Sequence, residues 1–145
     1  MSGSTNIDAN PGSLSGLPIF IEGAHRGGFL VSEAGFRSRD LATLTNSGAS
    51  PVTYPAGLVM AIATPQNGAT PAVVVPYATG TAAGTKGAVL FDRVTVPAGG
   101  TVKVTIVSRE AEVNAAELAY DGSVSTPAAQ ATILQALATT GLIGR

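Results

Sequence analysis

Residues 102–145, VKVTIVSREAEVNAAELAYDGSVSTPAAQATILQALATTGLIGR, decide the fold class of this chain. Up to Arg109 the side chains alternate. Val102, Val104 and Ile106 fall on one face, while Lys103, Thr105 and Arg109 fall on the other, the period of two of a half-buried strand. Ser125-Thr126-Pro127 then supplies hydroxyl caps and a proline whose fixed φ suits the first turn of a helix. The spacing of Ile133, Leu134 and Leu137 predicts one helix over about 127–140 with a single apolar side, and Gly141 can stop it in a left-handed conformation. Leu142 and Ile143 provide a last apolar anchor. One long strand followed by one capped helix points to a sheet that a helix covers.

Upstream, short apolar runs recur between breakers. Strands are expected at Phe29–Ser32, Asp40–Thr45, Gly57–Ala63, Ala72–Val75, Gly87–Phe91, Val94–Val96 and Thr101–Ser108. Asn46-Ser47-Gly48, Pro65-Gln66-Asn67-Gly68, the stretch from Thr79 to Lys86, and Pro97-Ala98-Gly99-Gly100 separate them. Short strands at such spacing with glycine-rich turns predict a mainly β (α+β) fold, a small antiparallel β domain with one C-terminal helix. At 145 residues one domain is expected, able to bury roughly 68–70% of the surface its unfolded chain exposes.

The N-terminus has a different character. Residues 1 to about 18 are mainly Ser, Gly, Thr, Asn and Pro, without regular apolar spacing. Ordering a backbone costs about 1–2 kcal/mol per residue, which such a composition cannot offset, so this stretch is expected to be disordered in the free protein. Leu17-Pro18-Ile19-Phe20-Ile21-Glu22-Gly23 follows as a short apolar patch with strand propensity, and Ala24 to Gly28 as a flexible joint. An apolar strand between two loose segments has the character of a docking strand, the other reading being an ordinary first strand of the domain. The domain organisation is therefore an arm over 1–28, with its docking strand at 17–23, and a β-rich body over 29–145.

Composition excludes several function classes. A formal net charge of −1 gives no field for nucleic acid or for an anionic membrane. The chain has no cysteine, so it has neither disulfides nor thiolate metal sites. No apolar run approaches the roughly 20 residues of a membrane span, and the first residues lack the basic start and apolar core of a signal peptide. A soluble protein made in the cytoplasm is expected. Only 12% of residues are charged, as where partners cover much of the surface, although the abundance of small residues alone gives the same figure.

Candidate chemistry is sparse. His25 is the single histidine and lies in the glycine-flanked joint, where a solvated linker residue is expected instead of a metal ligand or a triad member. Glu110 and Glu112 share a face if the strand continues through them, an arrangement open to a carboxylate pair. Edge charges that discourage aggregation, with Arg109 as a neutralising neighbour, are the simpler reading. Gly80, Gly84 and Gly87 imitate a phosphate loop but lack its GxxxxGK[ST] order and lead into a strand. Arg37, Arg39 and Arg93 are unclustered and have no interleaved aromatics. No catalytic residue, metal or cofactor is expected.

The ordered set FLVSEAGFRSRDLATL (29–44), PAGLVMAI (55–62), VVVPYATG (73–80), GAVLFDRV (87–94) and VSREAEVN (107–114), followed by the C-terminal helix, resembles the head decoration proteins of tailed bacteriophages. That resemblance implies a β-tulip-like domain with an extended N-terminal arm, acting as a capsid cement protein. It would form homotrimers at local three-fold sites on the exterior of the expanded head, with the major capsid protein and its own copies as partners. It would be made in the host cytoplasm and located on the virion. The arm then becomes the capsid-binding element, with Leu17, Pro18, Ile19, Phe20, Ile21, Glu22 and Gly23 adding a strand to a sheet edge of the capsid protein. The alternative is a virion-displayed adhesin or carbohydrate-binding module, for which Tyr54, Tyr77 and Tyr120 are the available aromatics.

Overall fold

The computed structural model describes residues 27–145, all with their secondary structure assigned. The docking strand expected at Leu17–Gly23 and the linker residue His25 lie outside the described residues. Ten strands follow: β1 (Leu30–Glu33), β2 (Arg39–Thr45), β3 (Val52–Tyr54), β4 (Val59–Thr64), β5 (Ala72–Pro76), β6 (Gly87–Leu90), β7 (Val94–Val96), β8 (Thr101–Val107), β9 (Ala111–Val113) and β10 (Leu142–Gly144). One α-helix, α1 (Pro127–Ala138), and 3-10 turns at Gly35–Ser38 and Ala115–Glu117 complete the described chain.

Five strands close into a barrel in the order β2-β5-β4-β6-β8. The longest ladder joins β2 to β8 antiparallel, from Arg39 opposite Val107 to Thr45 opposite Thr101. The barrel is not wholly antiparallel. Its closure depends on a parallel pair, β2 with β5, in which Ala42, Thr43 and Leu44 face Ala72, Val73 and Val74. A three-stranded sheet, β1-β9-β10, packs outside the barrel, and β3 and β7 form a separate ribbon.

Two apolar clusters explain why the upstream strands read as runs and not as alternations. Inside the barrel lie Ala42, Leu44, Met60, Ala72, Val74, Ala88, Leu90, Val104 and Ile106, with Leu58 and Val96. Outside it, Val59, Ala61, Val89 and Val107 point into a second cluster with Phe29, Ala111, Val113, Leu118, Ile133, Leu137 and Leu142. Strand β6 and the first half of β4 are therefore covered on both faces, and such stretches carry continuous apolar sequence. In β8 the alternation holds until Val107, which is buried in the outer cluster while its neighbour Ile106 fills the barrel.

Helix α1 forms as its sequence predicts. Thr126 adopts an extended conformation and its hydroxyl accepts from the Ala129 amide, with proline in the first turn. The helix ends at Ala138, two residues before the predicted boundary. Thr139 and Thr140 form a turn instead, in which Thr140 and Gly141 donate to Leu137 and Ala138 carbonyls. Gly141 takes φ 82°, the left-handed stop expected of it. Ile133 and Leu137 are the buried face. At about 1.5–3 kcal/mol per fully buried large aliphatic side chain, they anchor the helix over Gly87, where an added Cβ would stand 2.7 Å from Leu137 Cδ2.

Three elements depart from the sequence reading. Val52–Tyr54 is a strand, although three residues between Pro51 and Pro55 are too few to show a period. The polar joint after β8 contains β9. Leu142 and Ile143 are more than an anchor, because β10 pairs parallel with β9, Leu142 facing Ala111.

Candidate functional site

The arm's root is held firmly. Gly27 has φ 65°, its amide donates to the Phe91 carbonyl at 3.2 Å, and a Cβ there would lie 2.7 Å from Phe91 Cε2. The position accepts glycine for both reasons. Leu30 donates back to Gly27 at 3.0 Å, so Gly27 and Gly28, assigned from sequence to the flexible joint, form a closed turn. Phe29 is fully buried, and its carbonyl accepts from the Asn114 amide at 2.8 Å. The Arg39 guanidinium stacks on the Phe91 ring, 4.0 Å from its centre. Anything the preceding residues do starts from this fixed point on the domain.

The two carboxylates singled out in the sequence do not form a pair. Strand β8 stops at Val107, and Glu110 takes a left-handed φ of 49° before β9 begins. Glu110 instead binds Arg37, whose guanidinium that hydrogen bond stabilises, raising its pKa further. Glu112 binds Arg145 at 2.6 Å. Arg109, expected beside these acids, turns away to Asp40 at 2.7 Å and to the Arg37 carbonyl at 2.7 Å. Asp40 also accepts from the Ser108 hydroxyl, and Arg39 binds Glu33. Each of these carboxylates is paired with a guanidinium. Exposed ion pairs contribute about 0–1 kcal/mol each. They tie β1 to β2 across two sheets, Arg145 after β10 to β9, and the Arg37 turn to the residue before β9.

The glycine-rich stretch is a loop of ordinary turns. Thr81 donates to the Ala78 carbonyl, Thr85 to the Ala82 carbonyl, and Gly84 has φ 82°. Ser123 Oγ accepts from the Thr79 amide at 3.1 Å and fixes the loop to the 121–124 turn. Between this loop and α1 lies a groove of about 770 Å³, which nothing in the sequence pointed to. Tyr77 is buried in the outer apolar cluster, Tyr120 packs against that cluster, and Tyr54 packs against the barrel interior. Burial raises the Tyr120 phenol above its ordinary value. Among the described residues no group of three His, Cys, Asp or Glu is placed to hold a metal ion, and no helix is long and apolar enough to cross a membrane.

The exposed apolar side chains on the described surface are few: Val31 (57% exposed) in β1, Leu41 (58%) in β2, Ile143 (50%) in β10, with Val52 and Val75. Both edges of the β1-β9-β10 sheet are open among the described residues. This is a surface of packing and pairing opportunities.

The family model of bacteriophage lambda head decoration protein D matches residues 19–142. The chain belongs to that family. A search of curated proteins and a search of solved structures returned no match. The family is one of structural proteins of the phage head, and the β-rich domain with a single C-terminal helix is the fold its resemblance implied.

Proposed function

We propose that this protein decorates the exterior of a phage head as a homotrimer at local three-fold positions, and cements the expanded shell by binding the major capsid protein. The family match over 19–142 carries the proposal. It begins at Ile19, inside the apolar patch, so the family pattern takes in most of Leu17–Gly23 along with the domain. The docking element is that patch. Main-chain hydrogen bonds from an added strand would supply affinity, and alternate side chains would fill pockets on the capsid protein.

Ordering ten arm residues costs on the order of 10–20 kcal/mol, so a single arm binds weakly. A cyclic trimer changes the outcome. Once one arm docks, the other two are held near equivalent sites at high effective concentration. A lattice of the wrong spacing engages one arm only, which makes binding selective for the expanded head. The fixed root at Gly27 and Phe29 favours this scheme, because it sets where each arm leaves the domain.

The test is occupancy of expanded capsids by cryo-EM, comparing the full chain with Phe20→Asp. Loss of a buried aromatic anchor is expected to weaken decoration at least about tenfold, while the domain remains folded with a cooperative unfolding transition. Removal of residues 1–23 is expected to abolish decoration. Normal occupancy by both variants would refute the role of the arm, and protrusions away from the three-fold positions would refute the site.

A further inference from the structure

The groove between α1 and the Tyr77–Lys86 loop suits an apolar chain better than a polar ligand. Ala83, Ala129, Ile133 and Ala136 line it, with Lys86 as its single charged residue. The Tyr77 hydroxyl already donates to the Thr85 carbonyl at 3.4 Å, and no described buried side-chain polar atom lacks a partner. Of the groove's polar side chains, the Thr81, Thr132 and Thr139 hydroxyls are engaged with main-chain groups. About 770 Å³ is ample for several side chains.

We propose that, off the capsid, this groove holds the chain's own Leu17–Gly23 segment. This use of the segment rests on its reading as a docking strand. The chemistry is complementary: Ile19, Phe20 and Ile21 are apolar, and Glu22 is the one charge of the segment, opposite in sign to Lys86. The reach is also sufficient. Lys86, on the groove rim, and Phe91, at the arm's root, lie at opposite ends of β6, about 17 Å apart along an extended strand. From Gly27, which is bonded to Phe91, the chain back to Phe20 can span about 23 Å. An Ile-Phe-Ile run kept in water would invite aggregation, and a groove on the same molecule removes that hazard until a capsid edge competes for the strand.

The protein has no cysteine, so Ser15→Cys gives one site for a nitroxide label on the full-length chain. Methyl NMR signals of Ala83, Ala129 and Ala136 are then expected to lose intensity, while Val52 and Val94, which line no part of the groove, keep theirs. Phe20→Asp in the arm, and separately Thr132→Arg on the exposed groove wall, are expected to restore the lost signals. Lys86→Glu should weaken the loss, and its combination with Glu22→Lys should recover it. Loss spread evenly over the domain, centred on another surface, or seen only between differently labelled copies would overturn the assignment. Capsid is absent from this experiment, so its failure leaves the occupancy test untouched, and a failed occupancy test leaves these signals to be read on their own.

Discussion

At the scale of single residues, Gly141 does two things at once. Its φ of 82° ends the helix segment, and its carbonyl accepts from the Ala111 amide at 3.2 Å, joining that stop to β9. A Cβ there would meet the Glu110 backbone nitrogen at 3.2 Å. Gly141→Ala is expected to destabilise the domain by roughly 1–2 kcal/mol, the cost of a side chain in the left-handed region, measured by urea unfolding. Asp121 shows a smaller effect with a pH signature. Hydrogen bonds from the Ser123 side chain and amide hold its carboxyl below the ordinary value. A depressed folded pKa means that the stabilisation is complete above the unfolded value, near 3.9, and fades as pH falls through the folded one. The group is mostly solvent-exposed, so Asp121→Ala should cost only about 0.5 kcal/mol at pH 7. The difference from the parent should shrink below about pH 4 in unfolding curves taken across that range. Gly141 was legible in the sequence because a helix stop is a local event. The Glu110–Arg37 pair was not, since its partners stand 73 positions apart.

At the scale of elements, period and burial together explain what could be foreseen. Strand β8 has one water-facing side, so its polar and apolar residues alternate. The alanine-rich α1 is marked instead by its Thr126 cap, its proline and the i, i+4 spacing of Ile133 and Leu137. β6 and the first half of β4 are covered on both faces and show their strand character only as compact apolar runs between turns. β3, β9 and β10 are three residues each, too short for any period, and exist because a partner strand is already in place. The helix is what closes the outer cluster. Leu137→Ala, at a fully buried position, should cost about 2–5 kcal/mol by thermal or urea unfolding. Because Leu137 packs directly over Gly87, amide exchange in β6 should rise along with that in α1.

At the scale of the whole molecule, the proposed function divides the work between the described domain and the residues that precede it. In that proposal the domain sets where each arm starts and how three arms are spaced, and the arm supplies the contact. Avidity makes that division testable in the same capsid assay. If three arms must engage together, the full chain should favour expanded over unexpanded shells, and Phe20→Asp should lose affinity more steeply than a single contact accounts for. The amino-acid sequence by itself determined the long strand Thr101–Val107, the Thr126 cap, the helix and its Gly141 stop. These follow from residues within a few positions of one another, where steric and hydrogen-bonding preferences act directly. Only the tertiary structure decided the barrel's closure through the parallel β2–β5 pair, the capture of β10 by β9, the ion-pair partners and the groove beside α1. Each of those depends on surfaces brought together from distant parts of the chain, and packing, not local preference, selects among the arrangements the same short strands allow.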